Sequence, residues 1–411
     1  HETGPQEKTR GQEGRREENR GDGTRCESRE TGPSQCIRRH RAADGLEAGG
    51  QAMNGPLGFT PQSLAEEAMQ AQAKLAAGLG TLREVGNYDY GATRREEVWR
   101  DGKVVLYRFV GDDMPDKSRP TAEPPLLIAY ALVNRPYMVD LQSDRSLVKG
   151  LLARGEDVYV LDWGYPDRSD RYLMLEDYIQ RFLGGAVDHL RERFGLDAIN
   201  LLGICQGGAF SLCYAALNPG KVRNLITMVT PVDFHTDDNM LSNWVQALDV
   251  DLFVDTLGNV PADLMNYCYL MLKPFRLNMQ KYVGLVDILD DRKALEDFLR
   301  MEKWIFDSPD QAGEAFRQFL KQFYQGNGFV NGGIDIGGRE VHLGLVEMPG
   351  LNIFAEQDHL VPPAASKALK ELVGTDDYTE LSFRGGHIGI YVSGRAQHEV
   401  PQTIHDWLGA R

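Results

Sequence analysis

Basic side chains are the scarcer charge: 45 Lys and Arg face 60 Asp and Glu in 411 residues, a net charge of −15. A surface of that sign does not suit a phosphate backbone, so nucleic acid is not an expected partner. Long apolar runs are lacking too. No stretch approaches the roughly 20 residues that span a bilayer, and the N-terminus lacks the apolar core of a secretory signal. Cysteine is sparse: the five (Cys26, Cys36, Cys205, Cys213, Cys268) have neither disulfide nor metal spacing. His189, His235, His342, His398 and His405 show no ligand spacing either, so no metal site is expected. A reduced, cytoplasmic setting is the expectation.

What is present divides sharply by composition. Residues 1–52 contain no aromatic residue and no Val, with one Ile and one Leu. Such a segment cannot bury enough apolar area to offset ordering entropy, and it reads as a disordered extension outside the fold. Residues 53–97 read as an N-terminal helical segment, with Thr60-Pro61 opening a helix over 62–79. From Val98 onward, strands alternate with helices. The spacing predicts strands over 104–109, 126–133, 158–163, 199–202 and 222–229, then 351–355 and 378–383. Helices are expected over 146–153, 175–194 and 208–218, then 362–373 and 402–408. That rhythm predicts a mostly parallel sheet covered on both faces. It breaks between 233 and 345, where four helices (240–253, 261–272, 280–299, 312–325) and a glycine-rich connector form an insertion. The expected organisation is an α/β core from 98–232 and 346–411, with 233–345 inserted as a mainly helical cap.

At the junction of one strand and its helix stands Gly203-Ile204-Cys205-Gln206-Gly207. A glycine two residues either side of a nucleophile, between strand and helix, is the elbow of an α/β-hydrolase fold. The turn is too tight for larger neighbours, and it lifts the nucleophile to the top of the sheet. Here that residue is cysteine, where serine is usual. Asp358 follows the strand 351–355 and His387 follows 378–383, so nucleophile, acid and histidine come in the hydrolase order. A free thiol titrates near about 8.5, and a neighbouring imidazole and a helix N-terminus both favour its thiolate. The oxyanion hole needs the backbone N–H of Gln206 and a second one from the loop after an earlier strand. Val133 and Asn134 are the candidates. Cys213 and Cys268 read as inert apolar fillers, and Asp162, Trp163 and Trp304 as packing groups. His359 fits a supporting hydrogen bond and a plain loop residue equally.

Those residues sit within longer strings that resemble the polyhydroxyalkanoate synthases, specifically the catalytic C subunit of the two-component class III type. The resemblance runs from about Met53 to Arg411 and rests on ALVNRPYM at 131–138, DWGYPD at 162–167 and the elbow. It extends through TPVDF at 230–234, MEKWIFDSPD at 301–310, QDHLVPP at 357–363 and GGHIG at 385–389. It implies polymerisation of (R)-3-hydroxyacyl-CoA, typically 3-hydroxybutyryl-CoA, with release of CoA. The CoA thioester is substrate, and no separate cofactor is implied. Cys205 would carry the acyl group and His387 would be its base. Asp358 would orient His387 or deprotonate the 3-hydroxyl of the incoming unit; the resemblance favours the second role. A non-homologous E subunit, a homodimer formed through the cap and residence at the surface of polymer granules are further implications. Two other functions fit parts of the pattern. A cysteine α/β-hydrolase cleaving thioesters or lactones would share every catalytic residue, and a non-catalytic granule-binding scaffold would need none of them.

Overall fold

The computed structural model describes Met69, Gly91 and residues 93–111, 124–274 and 280–411. The extension 1–52 and, apart from Met69, the helix read over 62–79 lie outside the described residues.

Eight strands form the main sheet: β1 (Arg94–Asp101), β2 (Val104–Val110), β3 (Leu126–Ala129), β4 (Val158–Asp162), β5 (Ile199–Ile204), β6 (Val222–Met228), β7 (Gly350–Ala355) and β8 (Tyr378–Phe383). Their order across the sheet is β1-β2-β4-β3-β5-β6-β7-β8. β2 pairs antiparallel with both β1 and β4, and every other pairing is parallel. The inner parallel strands β3, β4, β5 and β7 are buried throughout because both faces of the sheet are covered. Along them the pleat sends neighbours to opposite sides: Leu127 and Leu201 join one buried cluster, Ile128 and Leu202 the other. The first cluster packs the sheet against Tyr178, Phe182, Leu190 and the helix Gln206–Leu217, and the second against Val148, Leu151, Ile404 and Trp407.

Register brings the carboxyl ends of the central strands level. Ala129 faces Gly203, Ile204 faces Met228, Met228 faces Ile353, and Ala355 faces Phe383. The chain segments that leave those ends therefore meet above one edge of the sheet.

Several boundaries differ from the sequence reading. β3 ends at Ala129 rather than running to Val133, because the carbonyls of Ala129 and Tyr130 close onto Gly207 and the chain turns out of the sheet. The helix expected over 240–253 is two, Met240–Gln246 and Val250–Leu257; Asp249 caps the second by accepting from the Leu252 N–H. The helix over 280–299 likewise divides into Lys281–Asp287 and Arg292–Phe306, the latter capped by Asp291. The last helix begins at Ala396, not Gln402, and holds Pro401 within it. The Pro401 ring lies against Gly150, where a Cβ would meet its Cγ at 2.6 Å. Side chains of 312–346, among them Phe319, Phe323, Ile334 and Val346, share the cluster of Phe210 and Leu212, so packing runs unbroken across residue 345.

Candidate active site

β5 is buried along its whole length and delivers Cys205 at φ 54°, ψ −121°, a left-handed conformation that a side chain adopts only under constraint. The constraint is visible in the neighbours. The Cys205 N–H donates to the Met228 carbonyl at 2.9 Å, while its own carbonyl accepts from Gly208 at 2.9 Å and opens the next helix. A Cβ at Gly203 would meet the Gly208 Cα and Ser211, one at Gly207 the carbonyl oxygens of Ala129 and Tyr130, and one at Gly208 the Thr230 side chain. Glycine at these positions is a matter of space. Gly207→Ala is accordingly expected to destabilise the protein by roughly 3 kcal/mol, because backbone carbonyls cannot step aside as a side-chain tip can. A denaturant unfolding midpoint matching that of the unaltered protein would refute this account of the turn.

His387 lies in the turn after β8 and Asp358 in the turn after β7; each is 6% exposed. The His387 Nδ1 is 2.6 Å from Asp358 Oδ2. The other carboxylate oxygen of Asp358 accepts the N–H groups of Leu360 (2.9 Å) and Val361 (3.0 Å), so the carboxylate is fixed from both ends. With Nδ1 taken by Asp358, Nε2 is left for the Cys205 thiol, which lies close enough to act on the charge of the ring. Burial works strongly against a charged His387, yet the Asp358 carboxylate and the Cys205 sulfur outweigh it and hold the imidazole well above its usual range. Residues 205, 358 and 387, distant in the chain, are thus brought together at one site.

Gln206 follows the nucleophile directly, and Val133 and Asn134 lie in the loop after β3. Gln206 begins the helix behind Cys205. Its side-chain carbonyl accepts the Leu132 N–H at 3.0 Å, tying the elbow to the loop after β3. Among the described residues the Val133 N–H meets no acceptor. The Asn134 side chain donates to the Ser308 hydroxyl at 2.8 Å.

Comparison with known proteins agrees with this geometry. The alpha/beta hydrolase fold family matches residues 124–393. The poly(3-hydroxyalkanoate) polymerase subunit PhaC of Allochromatium vinosum is 59% identical over 357 residues, which is 87% of this chain and 99% of that protein. The subunit of the same name from Thiocystis violacea is 57% identical over 87% of this chain and 99% of its own. That of Synechocystis is 50% identical, with coverage of 84% and 92%. The chain belongs to the PhaC family. Members of this family are acyltransferases built on the α/β-hydrolase core.

The PhaC-type site holds groups that no motif marked. Four tyrosines (Tyr130, Tyr269, Tyr324, Tyr391) lie within electrostatic range of the Cys205 sulfur, and burial pushes all four phenols upward. Tyr130 and Tyr391 meet edge to face at 6.3 Å, and the Tyr391 ring lies 6.4 Å from the His387 ring. Tyr269 and Tyr324 come from the helical insertion. Tyr391, four residues after His387, had a sequence signal in its spacing; the other three are brought in only by the fold.

The insertion also grips the loop after β3. The Trp304 indole donates to the Arg135 carbonyl (2.9 Å), and Asp307 accepts the hydroxyls of Tyr137 (3.0 Å) and Tyr165 (2.6 Å). Trp163 donates to the Tyr130 carbonyl at 2.8 Å, and Asp162 pairs with Arg135 at 2.7 Å. These are packing and anchoring roles, as the sequence suggested. Among the described residues no helix is long and apolar enough to cross a membrane.

Proposed function

We propose that this chain polymerises (R)-3-hydroxyacyl-CoA, with 3-hydroxybutyryl-CoA as its substrate, into polyhydroxyalkanoate and releases CoA through a covalent thioester on Cys205. The observation that carries the reading is the row Cys205–His387–Asp358 in a chain 59% identical to a PhaC subunit.

The chemistry follows from the atoms in that row. His387 holds the proton that the thiol has given up while the Cys205 sulfur attacks the thioester carbonyl, then donates it to the departing CoA sulfur. One thioester replaces another, so the acyl group stays activated, whereas an ester on serine would lie lower. The 3-hydroxyl of another unit then attacks the acyl-enzyme, and His387 takes its proton as the ester bond forms and the Cys205–acyl bond breaks. Backbone N–H groups of Gln206 and Val133 face the carbonyl oxygen as it gains charge. Both oxygens of Asp358 are engaged, one by His387 and one by two backbone N–H groups, which supports an orienting role over direct action on the hydroxyl. Burial of His387 and Asp358 supports exclusion of water, which would otherwise hydrolyse the acyl-enzyme. The same reading carries with it an E-type partner subunit, a homodimer, and residence in the cytoplasm at the granule surface.

The test is an assay with 3-hydroxybutyryl-CoA, with and without an E-type partner, following CoA and polymer together. Polymer in step with CoA is the expected result. CoA release accompanied only by free hydroxybutyrate would instead make the protein a thioester hydrolase.

A further inference from the structure

The loop after β3 is held at both backbone polar groups of one residue, Leu132. The Leu132 N–H is taken by the Gln206 side chain at 3.0 Å. The Leu132 carbonyl is taken by Gln311, whose amide Nε2 donates to it at 3.2 Å and to the Pro309 carbonyl at 3.0 Å. Gln311 is 3% exposed, and its backbone exchanges two 2.9 Å hydrogen bonds with Val260. Its side chain is therefore held in place by the helical insertion and not by the loop that it touches.

A trans peptide is planar, so the Leu132 carbonyl and the Val133 N–H belong to one rigid group and point in opposite directions. Whatever fixes the carbonyl fixes the N–H. Gln311 pulls the carbonyl toward the insertion, and the Val133 N–H then faces away from it, without an acceptor among the described residues.

We infer that Gln311 is a positioning residue, which holds the Leu132–Val133 peptide so that the Val133 N–H is aimed at the acyl oxygen in the transition state. The inference rests on the acyl-transfer reading above and extends it: the insertion completes the oxyanion site as well as covering it. Without the Gln311 amide the peptide can rotate about its flanking bonds, and a misdirected donor stabilises developing charge poorly. The interaction is specific to the tetrahedral state, so its loss falls on kcat rather than on KM.

The experiment uses the full chain with its E-type partner and 3-hydroxybutyryl-CoA. Gln311→Met keeps the length of the side chain and removes the donor. It is expected to lower kcat about 30-fold with KM within about twofold, a part of the hundredfold or more that loss of one oxyanion donor costs. A trifluoromethyl ketone carrying the hydroxybutyryl group gives a readout independent of turnover. Its carbonyl carbon takes the Cys205 sulfur, the carbonyl π pair moves to oxygen, and the thiol proton passes to His387. Affinity for this adduct is expected to fall by the same factor as kcat, with affinity for CoA alone unchanged. Gln311→Glu, which loses the donor while ionised, serves as the second variant if the Met variant does not fold. Trp304→Phe removes another bond from the insertion to the same loop but leaves the Leu132 carbonyl alone, and a loss under about threefold is expected. Unchanged kcat or unchanged adduct affinity in a folded Gln311 variant overturns the inference, and so does an equal loss in Trp304→Phe. A wild-type protein that binds the adduct yet releases no CoA from the thioester would count against the acyl-transfer reading instead.

Discussion

Cys205→Ala is expected to abolish CoA release and polymer together, by about 10⁵-fold or more, as loss of a covalent nucleophile does when the other groups act only through it. The loss should not come from unfolding. The Cys205 side chain is only partly buried, its backbone hydrogen bonds to Met228 and Gly208 do not involve the sulfur, and Ala bears the same positive φ at the same cost. A thermal transition close to that of the unaltered protein is therefore part of the expectation. Cys205→Ser makes the complementary test. An oxygen nucleophile in the same place would form an ester, from which transfer to the next hydroxyl has little driving force. Slow release of up to about one CoA per chain, without polymer, is the expected outcome. Polymer formation by Cys205→Ala at the normal rate would remove the covalent mechanism altogether.

How much of this was legible beforehand depended on whether the signal was local. The elbow was legible because two glycines, a strand and a helix lie within a few residues of one another, and each glycine answers to a contact nearby in space. Asp358 and His387 were legible as strand-end residues in the right chain order, and the fold brings them to 2.6 Å. β1 was not read. Its sequence, RREEVWRD, belongs to an edge strand that is exposed or half-buried throughout, so it carries no apolar run to notice. The exit of the chain from β3 at Ala129 was hidden for the opposite reason. Tyr130-Ala131-Leu132 continues the apolar run, and only the approach of Gly207 shows why the strand must stop. The start of the last helix was misplaced because Pro401 reads as a boundary, although its neighbour Gly150 lets the ring fit within the helix. Tyr269, Tyr324 and Gln311 carry no sequence signal at all. Each matters through a partner more than 50 residues away, and such pairings exist only once the chain has folded.

Asp358→Asn is expected to lower CoA release in the first turnover and steady-state elongation by the same large factor, about 10⁴-fold. The substitution keeps the shape of the side chain. Its carbonyl oxygen can still accept from Leu360 and Val361, which turns the NH₂ group toward His387 Nδ1. That nitrogen must then accept, so the ring proton moves to Nε2 and faces the thiol, where a base is needed. Acylation and elongation both require the base, so both fail in proportion. If Asp358 instead served only the incoming hydroxyl, rapid-quench experiments on the variant would find one CoA released per Cys205 at the normal rate, followed by arrest. The Asp358–His387 pair also has a pH signature with a definite sign. Because the folded-state value of His387 is raised, the pair stabilises the protein fully below the free imidazole value of about 6.5, and that stability is lost as pH climbs through the raised value. Asp358→Asn should remove that contribution, so the loss of thermal stability relative to the unaltered protein should be larger at pH 6 than at high pH. A loss that is equal across that range would mean that His387 does not carry its proton through Asp358.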